Sequence, residues 1–166
     1  MKLAKKMCIA ALKHCYMVTA GYSGTSLIKK LGIKDDTKLL LLHAPENYFA
    51  LLEKDLTTQY CKKNELPGLV HLFAANNKIF EKEMLALQPV WKKNTSIVIW
   101  VSWYKKNSGM VTDLAENTIR NYALANGLVD VKVCAVSELW SGLKLVVPLA
   151  KRTSPQPLSK GRAKTS

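Results

Sequence analysis

The sequence predicts an α/β fold, in which a mainly parallel sheet lies between two layers of helices and ends in an antiparallel hairpin. Strand-like and helix-like segments alternate three times between residues 38 and 127. Each strand-like segment is a continuous apolar run, which is typical of a parallel strand covered on both faces. Two more strand-like segments then follow each other directly. This pattern indicates a three-layer arrangement with right-handed crossovers and a terminal hairpin.

The first predicted elements are a short helix, a strand and a second helix. In "GTSLIKKLGIK", Thr25 or Ser26 is the expected cap and Gly32 the stop of the helix. "KLLLLH" predicts a strand over 39–43, because it is apolar throughout and of strand length. "PENYFALLEKDL" predicts a helix over 45–56.

The next two strand and helix pairs follow the same pattern. "LVHLFA" predicts a strand over 69–74, and the apolar residues of 76–88 recur at helical spacing. Pro89 is expected to end that helix, because proline lacks an N–H and clashes with the preceding turn. "TSIVIWVSW" predicts a strand over 96–103, and 113–127 predicts a third long helix that stops at its final glycine.

The last predicted element is a hairpin in "VDVKVCAVSELWSGLKLVV", with its turn near Ser141-Gly142. The complete order of elements is Rossmann-like and resembles the second half of a class I methyltransferase fold, whose last two strands also form a hairpin. Such folds bind their cofactor through a Gly-rich turn after the first strand. The corresponding turn here, "HAPENY", has no glycine. The sequence therefore identifies no cofactor.

The basic charge lies mostly at the two ends of the chain. The formal net charge is +13, from 25 basic and 12 acidic residues. Nine of the basic residues lie in 1–16 and 151–166, which contain no acid, so 17–150 carries only 16 basic against 12 acidic residues. We expect one α/β domain over 17–150, an N-terminal extension before it and a disordered tail after it. Nucleic acid is not the expected partner, because its modules place basic residues on one folded face.

The cysteine pattern predicts free thiols and no metal site. Cys8, Cys15, Cys61 and Cys134 form no C-x-x-C pair and have no metal-ligand spacing with the histidines. The apolar run of the N-terminal segment is too short for a signal peptide and lacks a cleavage site. We therefore expect a cytoplasmic protein without a membrane partner.

Three segments together resemble one family. "AGYSGTSLIKKLGIK", "IWVSWYKKNSGMVTDLAE" and "GLVDVKVCAVSELWSGLKLVV" are similar to the small, uncharacterised bacterial proteins grouped as domain of unknown function 3052. The resemblance extends from near Met17 to Ala150. The family pattern has proline in place of Tyr104, and Asp and Thr in place of Ser137 and Leu139. The resemblance implies a fold and a set of marked residues, but no reaction.

The loops after the predicted parallel strands are where a ligand is expected, because ligands bind at the carboxyl ends of such strands. The hairpin turn would join them if it reached the same edge. Only the loop 103–113 has the composition of an anion site. Lys105 and Lys106 supply charge, Ser108 and Thr112 supply hydroxyls, and Gly109 lets the backbone approach a ligand before a helix begins.

A structural turn is the alternative interpretation of the same loop. Asp113 and Glu116 have the spacing of an acid-led capping box, which would partly neutralise the helix terminus. A pair of lysines is also common in solvated turns. Trp103 likewise is either a pocket wall or a core-edge residue, and the same two interpretations apply to Trp140.

The sequence favours a ligand- or partner-binding module over an enzyme. The alternative is a methyltransferase-like or other transferase-type enzyme, with His43, Lys105 and Glu138 as acid–base groups. The expected partner is a small anionic ligand or another protein, and the oligomeric state stays open. The predicted ligand-binding residues are Trp103, Lys105, Lys106, Ser108, Gly109, Thr112, Asp113, His43, Glu138 and Trp140.

Overall fold

In the computed structural model, which describes residues 24–151, five strands form one sheet and four helices pack on it. The elements are α1 (Leu27–Leu31), β1 (Leu39–Leu42), α2 (Tyr48–Leu52), β2 (Leu69–Phe73), α3 (Asn77–Lys93), β3 (Val98–Tyr104), α4 (Glu116–Ala125), β4 (Val129–Ala135) and β5 (Trp140–Val146). The three strands predicted before the hairpin are found within two residues of their expected bounds. The predictions for the N-terminal extension, and for the tail beyond Lys151, lie outside the described residues.

The sheet is mixed, so the prediction of a mainly parallel sheet was wrong. Its strand order is β1-β2-β3-β5-β4, with β1, β2 and β3 parallel to one another. β5 enters between β3 and β4 and runs antiparallel to both. The two antiparallel ladders contain seven and six residue pairs, against four and five in the parallel ladders. The hairpin therefore joins the sheet at the free edge of β3, with β5 as its inner strand and β4 as the outer strand of the sheet.

The helical cover of the two faces is unequal, and the expected Rossmann-like three-layer arrangement was wrong as well. α3 and α4 cover one face with 17 and 10 residues, whereas α1 and α2 on the other face have five residues each. The helix predicted over 45–56 ends early because Glu53 adopts a left-handed conformation (φ 55°). The chain then turns and buries Leu56 instead of continuing the helix.

Two hydrophobic cores lie on opposite faces of the sheet. The face of α3 and α4 contains Phe80, Met84 and Val101, and the face of α1 and α2 contains Leu27 and Trp100. The indole N–H of Trp100 donates to the Leu31 carbonyl at 3.0 Å, which ties the end of α1 to the sheet. The alternation of side chains along β3 places Trp103 on the opposite face from Trp100, as strand parity predicts.

Pro89 lies inside α3, so the prediction that it ends the helix was wrong. Pro89 has no N–H to donate to the carbonyl of Leu85, four residues before it. Leu85 and Pro89 are both exposed, so water can donate to that carbonyl instead. Trp91 lies beyond the proline and is buried in the core. Its packing favours continuation of the helix to Lys93.

The hairpin turn lies at 136–139, not at Ser141-Gly142 as predicted. Ser137 stabilises the turn, because its hydroxyl accepts the N–H groups of Leu139 and Trp140, both at 3.3 Å. Gly142 lies within β5, where an added Cβ would come within 2.9 Å of Val136 Cγ2. The glycine therefore permits close packing and does not form the turn.

Candidate functional site

An open groove lies at the carboxyl end of β3, and its volume is about 680 Å³. Its walls are formed by Trp103, Tyr104, Lys105, Lys106, Met110, Thr112, Asp113, Leu114, Ala115, Glu116, Asn117 and Ser141. The hairpin turn reaches the same edge of the sheet, because Tyr104 pairs with Trp140 at the start of β5. Half of the ten predicted site residues line this groove, namely Trp103, Lys105, Lys106, Thr112 and Asp113.

Ser108 and Gly109 build the loop but do not line the groove. The backbone N–H and the hydroxyl of Ser108 both donate to the Lys105 carbonyl, at 3.0 and 2.7 Å. The Met110 N–H donates to the Ser108 hydroxyl at 3.3 Å, and Gly109 has φ 75°. A left-handed conformation favours glycine, so the "NSG" sequence is explained by the turn itself.

Lys105 and Lys106 line the groove without a carboxylate partner. Neither ammonium group lies within 4.0 Å of a carboxylate belonging to residues 24–151. Lys105 is half-buried and Lys106 is exposed. The backbone N–H of Lys105 donates to the Leu139 carbonyl at 2.9 Å, which holds the loop against the hairpin turn.

The two acids of the groove, in contrast, both have partners. Asp113 Oδ1 accepts the Asn77 N–H at 2.8 Å, and the Asn77 side-chain amide donates to the Asp113 carbonyl at 3.1 Å. Glu116 accepts two hydrogen bonds from Arg120, at 2.6 and 2.9 Å, and Arg120 also contacts Asp130. These contacts leave the lysines as the cationic groups without a direct counterion in the groove wall.

The predicted capping box of α4 was wrong. The N-cap of α4 is Ala115, and no side chain caps this helix. Asp113 instead binds the first residue of α3, next to the Asn76 side chain that accepts the Ile79 N–H at 2.9 Å. As a result, the first N–H groups of α4 border the groove without a side-chain acceptor.

The remaining predicted site residues do not line the groove. His43 follows β1, has φ 54°, and its Nε2 lies 3.0 Å from Glu83 Oε1. Trp140 lies on the other face of the sheet, where it stacks on Tyr104 with ring centroids 4.0 Å apart. Glu138 is exposed in the hairpin turn.

A buried hydrogen-bonded chain of Tyr48, His71 and Ser102 was not predicted. The Tyr48 hydroxyl lies 2.8 Å from His71 Nδ1, and His71 Nε2 lies 2.8 Å from Ser102 Oγ. All three residues are buried. Burial lowers the pKa of His71 to about 3 and raises the pKa of Tyr48. A polar residue inside each of two neighbouring apolar strands was the signal available in the sequence, because buried polar groups require partners.

The described part of the chain contains neither a candidate metal site nor a candidate membrane-spanning helix. Residues 24–151 contain no group of three or more His, Cys, Asp or Glu side chains arranged to hold a metal ion. None of the helices formed by these residues has the length and hydropathy needed to cross a membrane.

Comparisons with known proteins leave the family open. The chain matches no protein-family model and no curated protein. The resemblance to the family of domain of unknown function 3052 therefore stays a prediction.

Proposed function

We propose that this protein is a ligand-binding module that takes a small anion in the groove at the carboxyl end of β3. One observation carries the proposal. The two lysines of the groove have no carboxylate partner among the described residues, whereas Asp113 and Glu116 are both engaged. An anion entering the groove would therefore meet Lys105 and Lys106 without displacing an existing ion pair.

The electrostatics of the groove support this function. A charge-assisted hydrogen bond is worth roughly 1.5–3 kcal/mol when it is partly shielded from water. Lys105 is half-buried and Lys106 is exposed, so the contact of Lys106 with an anion is the more strongly screened of the two. The start of α4 has no side-chain cap, but Glu116 in its first turn offsets part of the field that would favour negative charge there.

The dimensions favour a small ligand over a protein partner. A volume of about 680 Å³ lies within the range of roughly 300–1,000 Å³ that is typical of small-molecule sites. We also propose a cytoplasmic location, because the spacing of the four cysteines in the sequence is not that of a disulfide framework.

The first test is a ligand screen by thermal shift with inorganic phosphate, sulfate, nucleotides, S-adenosylmethionine, sugar phosphates and acyl carriers. A ligand at 100 times its dissociation constant adds roughly 2.7 kcal/mol of stability. We expect at least one anion to raise the melting temperature of the parent protein. Absence of any stabilising anion would contradict the proposal.

The second test compares two double lysine variants. Lys105→Ala/Lys106→Ala should weaken the stabilising anion about tenfold or more and reduce the salt dependence of its binding. Lys92→Ala/Lys93→Ala is the charge-matched control, because these exposed lysines lie in the last turn of α3 and outside the groove. Equal affinity in the parent and the groove variant, measured by titration at two salt concentrations, would refute the function.

A further inference from the structure

We infer that the groove selects an organic phosphomonoester whose body is an aromatic ring or a short apolar chain. This inference rests on the proposed function and names its ligand class. The groove is far larger than an inorganic phosphate ion, since about 680 Å³ corresponds to a drug-sized ligand. The groove therefore has room for a part of the ligand that does not contact the lysines.

The groove offers an apolar surface for that part. Trp103 and Leu114 line the groove but are only 7% and 3% exposed, so each adds a small apolar area to its wall. Met110 lines the groove and is 45% exposed. An exposed methionine that lines a groove is an adaptable contact for an apolar ligand, because its unbranched side chain fills irregular gaps.

Seven of the twelve residues that line the groove are polar or charged, so polar groups lie beside the apolar ones. Asn117 is exposed and Ser141 is half-buried, and both line the groove. The Thr112 hydroxyl accepts the Leu114 N–H at 3.1 Å and so is partly used within the loop. Polar groups beside an apolar surface can fix the orientation of a small organic molecule.

The two lysines favour a phosphate over a carboxylate, because they outnumber Asp113, the lining acid that has no cationic partner among the described residues. Two lysines without ion-pair partners line the groove, and a phosphomonoester carries a charge of about −1.5 to −2 at pH 7. A carboxylate would bring a single charge. Lysine binds phosphate as a point charge and needs no bidentate geometry, so neighbouring lysines on a loop suffice.

The test uses three probes on the full chain at pH 7.5, namely inorganic phosphate, phenyl phosphate and phenol, titrated by calorimetry. We expect phenyl phosphate to bind about tenfold or more tightly than inorganic phosphate, and phenol to bind weakest of the three. Lys105→Ala/Lys106→Ala should weaken both phosphate probes. Met110→Ala should weaken phenyl phosphate about threefold or more and leave inorganic phosphate unchanged.

Val111→Ala is the matched control for Met110→Ala. Val111 is the next residue and is 97% exposed, but it does not line the groove, so its truncation should leave every probe unchanged. Both substitutions are in an exposed loop, so both variants are expected to fold. An additional measurement is the affinity for phenyl phosphate at pH 5, which should fall several-fold as the second proton binds near pH 6.

The outcomes separate the ligand class from the function. Lysine-dependent binding of inorganic phosphate with no gain for phenyl phosphate would overturn the ligand class and leave the proposed function standing. Equal binding of phenyl phosphate at pH 5 and pH 7.5 would overturn the preference for a dianion. Binding of phenol as tightly as phenyl phosphate, or no binding of either phosphate probe, would overturn both.

Discussion

Acidification should destabilise this protein through His71. In the folded protein the pKa of His71 is lowered to about 3 by burial, against 6.5 for an unperturbed histidine. Between these two values the unfolded chain binds more protons than the folded one, so stability rises with pH and is lost as the pH falls from 6.5 toward 3. The loss is roughly 2 kcal/mol at pH 5 and roughly 4 to 5 kcal/mol near pH 3, at 1.36 kcal/mol per pKa unit.

The local structure explains why the neutral imidazole is favoured. Its two nitrogens contact the hydroxyl groups of Tyr48 and Ser102, and its ring stacks on Phe73 with centroids 4.3 Å apart. These neighbours carry no charge at neutral pH. Ser102 and Phe73 are uncharged, and burial raises the pKa of Tyr48 above its ordinary value, so its hydroxyl stays protonated. Protonation would place a cation inside an aromatic cluster without a counterion.

The measurement is the free energy of unfolding by urea at pH 7.5 and pH 5, for the parent, His71→Gln and His43→Gln. The fall in stability between the two pH values should be about 2 kcal/mol smaller in His71→Gln than in the parent. The carboxylates contribute equally to this fall in the two proteins, so the difference reports His71. His43→Gln is the control, because His43 is exposed and lies outside the buried cluster of His71.

An NMR titration of the parent supplies an independent readout if His71→Gln does not fold. The His71 imidazole should remain neutral at pH 5 while an unperturbed histidine is mostly protonated. A His71 ring that titrates near pH 6.5, or equal pH dependence of stability in the parent and His71→Gln, would refute the reasoning.

Two further predictions concern contacts that hold the site and the hairpin in place. Asp113→Ala should lower stability by about 1 kcal/mol and reduce hydrogen-exchange protection of the Asn77 amide, because the carboxylate caps α3. Asp113→Asn should recover part of the stability and part of the protection. Unchanged protection of the Asn77 amide in Asp113→Ala would contradict the capping role of Asp113. Gly142→Ala should cost about 1–3 kcal/mol, because its Cβ would lie 2.9 Å from Val136 Cγ2. Gly68→Ala is the control, with its nearest atom at 3.8 Å, and thermal unfolding at similar temperatures in both variants would disprove the packing argument.

Local patterns in the sequence were sufficient to predict the strands and the existence of the helices. Continuous apolar runs identified β1, β2 and β3, because a buried strand must be apolar on both faces. The end of α1 was also predictable, since Gly32 adopts φ 74° at its C-cap. These features depend on residues close together in the chain.

Features that depend on distant residues were not predictable in the same way. β5 lies between β3 and β4, so it pairs with a strand that is distant in sequence. The apolar pattern of β3 does not specify which strand pairs with each of its two edges. Asp113 caps a helix that begins 36 residues earlier, although its local spacing with Glu116 is that of a capping box. Gly142 was assigned to a turn because glycine is common in turns. The close approach of Val136 to Gly142 arises only in the folded chain, so the sequence did not indicate it.

The candidate site was predicted in position and only partly in composition. The rule that ligands bind at the carboxyl ends of parallel strands led to the loop after β3, where the groove lies. Met110, Asn117 and Ser141 were not predicted to line it, because no motif marks them. Their place in the groove follows from the path of the loop and from the pairing of Trp103 with Ser141.

The loop that borders the groove is fastened at both of its ends. Lys105 donates a backbone hydrogen bond to Leu139 at one end, and Asp113 binds Asn77 at the other. The segment 106–112 between these attachments contributes no strand or helix. Its length and composition can therefore vary without altering the register of the sheet, in the way that antigen-binding loops vary on a constant framework. The same scaffold could thus be adapted to new ligands by exchanging seven residues, either by natural divergence or by grafting.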